Sequence, residues 1–173
     1  MYAVDERDSV TEINDVPAPD IGAPIPVVVA DEHSVLLAYI VSEPDPKWDG
    51  TFVSVVGKES AGMPIAIIEF DWPYAHFFGP PNDEAFEGHP LASRGLSPYA
   101  VFEIGQSSWI RRLVQMNSVH PHHRADAYAD LRHFIFAFHD STFECVARGF
   151  KYAVRKGTIS TALTEMASMV SRS

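Results

Sequence analysis

Hydrophobic positions fall into short β-rich runs in the first two thirds of the chain and into a helical spacing near its end. PVVVA (26–30) and VLLAYIVS (35–42), separated by the polar DEHS, predict two strands around a short loop. FVSVVG (52–57) and PIAIIEF (64–70), around KESAGM, predict a second hairpin. PYAVFEIG (98–105) predicts a further strand. Ser107 or Ser108 then caps a short helix, WIRRLVQMN, in which Ile110, Leu113 and Val114 face one way and Arg111, Arg112 and Gln115 face elsewhere. Pro121 stops that helix. TISTALTEMASMV places Ile159, Leu163, Met166 and Val170 at helical spacing, which predicts an amphipathic C-terminal helix. Strands followed by helices point to an α+β fold with a mainly antiparallel sheet.

Between His133 and Phe150 the chain reads as a hairpin, and a tight turn at Asp140-Ser141 gives it a register. His139 then lies opposite Thr142, Ala137 opposite Glu144, Ile135 opposite Val146 and His133 opposite Arg148 on one face. Phe134, Phe136, Phe138, Phe143, Cys145 and Ala147 form the other face, dense enough for the main core. Cys145 therefore points away from both hairpin histidines, which argues against a cysteine nucleophile with a histidine base here. His139 and Glu144 become diagonal neighbours that can share a proton or a ligand. A partly solvated sheet face is the plainer account of the same residues.

Two stretches break the regular pattern. Residues 5–24 hold six acids, one arginine and three prolines, and read as an extended or mobile arm, so that 1–24 stands apart from a single domain over 25–173. Residues 71–98 contain five prolines with aromatics between them and cannot form one long element. A loop of that length draws attention as a cover for the polar face of the hairpin, where Ile135, Ala137 and Val146 would be wasted on solvent.

Composition narrows the classes. A length of 173 residues suits one domain, and 46% hydrophobic with 21% charged residues suits a packed core. No apolar run is long enough for a membrane span, the first residues are acidic rather than signal-like, and a lone cysteine fits a reducing compartment, so a soluble cytoplasmic protein is expected. The net charge of −10 splits into −13 over residues 1–100 and +3 over the rest, which disfavours nucleic acid as a partner.

Candidate chemistry rests on histidines and a few acids. His139 is the candidate general base or ligand, Glu144 its orienting carboxylate and Arg148 the anchor for an anionic substrate, with His89 or His120 as a second imidazole. Asn82, beside Asp83 and Glu84, is a candidate for the pocket rim or for an Asx turn. His120, His122 and His123 make a candidate cluster for a divalent metal, although H-P-H-H matches no standard zinc spacing, and an exposed loop explains them as well. Phosphate loops, dinucleotide fingerprints and nucleophile elbows are absent. Two functions follow: a small enzyme or ligand-binding protein with a His/Glu/Arg pocket, using metal-assisted acid/base chemistry on a small anionic substrate, or a non-catalytic interaction protein. The second would use an aromatic surface around Trp72, Tyr74, Phe77 and Phe78, or the C-terminal helix, which is also the expected homo-oligomer contact.

Overall fold

The computed structural model describes residues 2–43 and 55–172. Along the chain run β1 (Ser9–Glu12), β2 (Val27–Ala30), β3 (Val35–Ile40), β4 (Met63–Asp71), β5 (Ala75–Gly79), β6 (Val101–Gly105), α1 (Ser108–Asn117), β7 (Arg132–Ala137), β8 (Thr142–Ala147), β9 (Gly149–Gly157) and α2 (Ile159–Val170). The strands form two antiparallel sheets, ordered β1-β6-β7-β8-β5 and β2-β3-β4-β9. This is the α+β fold with mainly antiparallel sheet that the periodicity predicts.

The two sheets pack face to face. Leu37, Tyr39, Ile68 and Phe70 from the second meet Phe134, Phe136, Phe143 and Cys145 from the first. The aromatic face of the hairpin is core, as its alternation indicates: Phe136, Phe138, Phe143 and Cys145 are fully buried. Tilted and edge-on ring contacts, such as Phe70 with Phe136 at 6.0 Å, fill this layer. On the outer side of the second sheet, Leu36, Ala38, Ile40, Ile65 and Ile67 bury Ile159, Ala162 and Met166 of α2. Because β3 is covered on both faces, it reads as an unbroken apolar run rather than an alternation. The C-terminal helix is thus docked on its own sheet, its start secured by a Thr158/Thr161 capping box.

A third layer covers the outer side of the first sheet. Phe86, Leu91 and Leu96 of the 71–98 segment pack on Phe102, Ile104, Ile135 and Ala137. Thr142 Oγ1 donates to Pro81 O at 3.0 Å, and Asp83 N donates to His139 O at 2.8 Å, tying this segment to the hairpin. Residues 75–79 of that segment form β5, paired with β8. The acidic stretch before residue 25 also docks: β1 pairs with β6, Pro19 bridges to Val41, Tyr39 Oη donates to Pro17 O at 2.6 Å, and Val16 enters the inter-sheet core.

Two expectations change. The hairpin of β7 and β8 has a four-residue loop, Phe138 to Ser141, closed by Phe138 N donating to Ser141 O at 2.9 Å. Ala137 therefore opposes Thr142, Ile135 opposes Glu144 and His133 opposes Val146. The register differs by two residues from the tight-turn version, and an even shift leaves every side chain on its face while changing all cross-strand partners. Second, β4 pairs with β3 and β9. Of its expected hairpin partner, residues 52–54 lie outside the described residues and 55–57 are not a strand. In addition, β9 follows β8 directly, so the chain passes from one sheet to the other at Arg148, just as β4 passes to β5 around Trp72, which has φ of 49°.

Truncating Phe136 removes a ring that touches both sheets. Phe136→Ala is expected to cost about 3–5 kcal/mol, read as a lower denaturant midpoint at unchanged slope. A loss below about 1 kcal/mol would show that the inter-sheet layer is not the main core.

Candidate functional site

The outer face of β8 carries one carboxylate, Glu144, at 1% exposure. Three donors from three separate segments converge on it. His133 Nε2, from β7, lies 2.9 Å from Oε2; Tyr2 Oη, from the arm, donates to Oε2 at 2.8 Å; His89 Nε2, from the covering loop, lies 3.3 Å from Oε1. Both imidazoles are buried. Their tautomers follow from their partners. His89 Nδ1 accepts from Leu91 N at 3.1 Å, so its proton sits on Nε2 and is donated to Glu144. His133 Nδ1 lies 2.9 Å from Ser107 Oγ, and that oxygen already accepts from Ile110 N as the cap of α1. The ionised carboxylate can only accept, so Nε2 of His133 donates to Glu144 while Nδ1 faces the Ser107 hydroxyl.

Burial pushes the Glu144 carboxyl up, but the hydrogen bonds from His133 and His89, with Tyr2 behind them, outweigh it and hold the pKa at about 2. Burial and the neighbouring carboxylate drive the Tyr2 phenol far upward, so it stays a donor. Ser107, His133 and Glu144 stand in the order of a hydrolytic triad, yet Ser107 is 3% exposed and its oxygen is occupied as a helix cap. A carboxylate saturated by three donors is likewise a weak base at neutral pH. The geometry describes a satisfied buried polar cluster.

Above it opens a cleft of ≈740 Å³ between the arm, β5 and α1, with Glu144 in its floor. One wall is aromatic: Tyr2 stacks on Trp109 at 5.4 Å, and Trp109 stands edge-on to His133 at 5.1 Å. Phe77, opposite Glu144 in the β5–β8 register, lines the same space. The other wall is cationic. Asp8, buried at 3% exposure, accepts from Ser108 N at 2.5 Å and from Asp5 N at 2.8 Å, which pins the arm to the start of α1. Arg111 Nη2 reaches Asp5 Oδ1 at 2.8 Å and Ser108 Oγ at 2.7 Å. Its Nη1 is buried with no hydrogen-bond partner, alone in that respect among the described residues. Arg112 donates to Gln115 Oε1 at 2.9 Å and has no carboxylate partner among the described residues.

Of the residues singled out from sequence, Glu144 and His89 meet in this cluster. His139 does not join them. It sits in the exposed hairpin loop, 3.0 Å from Asp140 Oδ1 and 3.9 Å from Asp83 Oδ1, and the Asp140 hydrogen bond raises its pKa. The two-residue change of register gives its place beside Glu144 to His133. Arg148 lies at the crossing between sheets with its guanidinium 4.3 Å above the Trp72 ring, in a cation–π contact. Asn82 Oδ1 accepts from Ala85 N at 3.1 Å, an Asx turn. His120, His122 and His123 follow α1 on the surface; His120 Nδ1 accepts from His122 N at 3.1 Å, and His123 Nδ1 lies 3.1 Å from Asn117 Oδ1. They do not converge, and among the described residues no group of three or more His, Cys, Asp or Glu side chains is placed to hold a metal ion. Sequence reasoning passed over Tyr2, Ser107, His133 and the two arginines as site residues. His133 was within reach once a longer hairpin loop is considered; nothing local marks Tyr2.

The depressed pKa of Glu144 makes it a pH-dependent contributor to stability. Since the folded value lies below the ordinary 4.5, its contribution is fully present above about pH 4.5 and is lost as pH falls toward 2. Glu144→Gln should lower the denaturant midpoint at pH 7, by on the order of 3 kcal/mol in unfolding free energy, and should flatten the loss of stability between pH 4.5 and 2 relative to the parent. Parallel slopes for the two proteins would contradict the hydrogen-bonded carboxylate. No protein-family model, curated protein or solved structure matches the chain, so what this cleft does is read from its geometry.

Proposed function

We propose that the chain is a ligand-binding protein that holds an anionic group of its ligand in the cleft between the arm and α1. The observation that carries this reading is the buried, unpartnered Nη1 of Arg111 beside Arg112, which has no carboxylate of its own. A buried donor without a partner costs about 1–3 kcal/mol, and native structures seldom leave one without a reason. A carboxylate or phosphate oxygen at this wall would meet Arg112 directly and would satisfy Nη1 once the 29%-exposed Arg111 side chain turns toward it, and the planar guanidinium suits both. The chain as a whole, at −10, repels anions at long range, so selectivity would come from these short-range donors. The anion anchor assigned from sequence to Arg148 passes to Arg111 and Arg112 in this reading. A catalytic role has less support, because the cleft floor is saturated and Ser107 is enclosed.

Calorimetric titration with glutarate and with inorganic phosphate tests the reading. At least one should bind saturably, more weakly as salt rises, and Arg112→Gln should lower its affinity by about tenfold, or 1.4 kcal/mol. Arg155→Gln, on the far sheet, should leave affinity unchanged. Failure of both probes to bind, or equal affinity for the Arg112 variant, would overturn it.

A further inference from the structure

We infer that the anionic group belongs to an extended polypeptide, which adds as a strand along the outer edge of β5 and places an acidic side chain on Arg111 and Arg112. This rests on the reading of the cleft as an anion site and names the class of ligand. β5 ends the five-stranded sheet: it pairs with β8 on one side, and no described segment pairs with it on the other. Such an edge offers a row of unpaired backbone groups, and proteins usually guard it with charge. β9, the long edge of the second sheet, follows that practice with Lys151, Arg155 and Lys156. β5 does not. Its sequence AHFFG has no acid, lysine or arginine. Beside it, Trp72, Tyr74 and Phe78 remain 66%, 44% and 41% exposed, an apolar stripe of the kind that marks an interaction surface.

The edge and the cationic wall share one cleft, since Phe77 of β5 and Arg111 and Arg112 of α1 line the same space. A strand beside β5 would turn alternate side chains to opposite faces. On the cleft face they would meet Phe77, Trp109 and the arginines; on the other they would meet Phe78. Backbone hydrogen bonds would supply affinity and the alternate side chains selectivity, as in strand addition elsewhere. Pro80 and Pro81 offer no N–H groups, so the ladder ends at Gly79. Charge selects the occupant. Arg112, which has no carboxylate partner among the described residues, calls for an acid, whereas a second copy of this chain would bring an uncharged β5 and a further −10.

The test is selection of short random peptides, displayed on phage, against the purified full chain, followed by synthesis of the enriched sequences with and without N-methyl groups at alternate residues. Enrichment of an Asp or Glu flanked by β-branched or aromatic residues is expected. N-methylation in one of the two alternations, Arg112→Gln and Phe78→Lys should each weaken peptide binding by about tenfold or more, while Phe78→Lys leaves glutarate or phosphate binding intact. Binding of those small anions with no peptide enriched, or with peptides indifferent to N-methylation, would overturn strand addition and leave the anion cleft standing. Self-association in sedimentation equilibrium that Phe78→Lys abolishes would overturn it in favour of a second copy. If neither small anions nor peptides bind, both readings fail.

Discussion

An ionised carboxylate buried to 1% exposure is the constraint around which one side of this protein is built. Removing a carboxylate from water costs several kcal/mol unless charge-assisted hydrogen bonds replace the lost solvent. Glu144 obtains them from β7, from the covering loop and from an arm residue 142 positions away in sequence. Ser107 extends the chain of hydrogen bonds to the start of α1. Four segments from distant parts of the chain therefore meet at one acid, and the cleft opens above it.

Floor and wall of that cleft differ in kind. In the floor each donor has an acceptor, the tautomers are set by their partners, and the carboxylate has little tendency to take up a proton. Such a network rigidifies more than it reacts. The wall keeps a spare donor on Arg111 and a spare charge on Arg112, both mounted on a helix whose first turn Asp8 and Ser107 immobilise. Rigid support beneath unsatisfied donors suits recognition, where an ordered site loses little entropy on binding.

The sandwich supplies the frame by covering its strands on both faces. β3 sends Leu37 and Tyr39 toward the other sheet and Leu36, Ala38 and Ile40 toward α2. β8 sends Phe143 and Cys145 inward and leaves Glu144 to the covering loop. Crossing strands join the sheets at Arg148 and Trp72, where cation–π stacking closes the bend, so the residue expected to bind an anion serves the fold.

By itself, the sequence determined most of the elements and the two faces of the hairpin. Apolar runs predicted β2, β3, β4 and β6, the 3.6-residue spacing predicted α1 and α2, and the period of two separated Phe134, Phe136, Phe143 and Cys145 from His133, Ile135 and Glu144. That separation survived an incorrect loop length, because a register error of two residues returns each side chain to the same side. β9 escaped notice because its exposed edge replaces alternation with Lys151, Arg155 and Lys156. Only the tertiary structure decided which groups meet. The loop from Phe138 to Ser141 exchanged His139 for His133 as the partner of Glu144, and docking of the acidic arm brought in Tyr2 and Asp8. Periodicity is a local property of the backbone, whereas the demand of a buried charge for donors is met by whatever segments the fold brings within about 3 Å, and no local pattern names them.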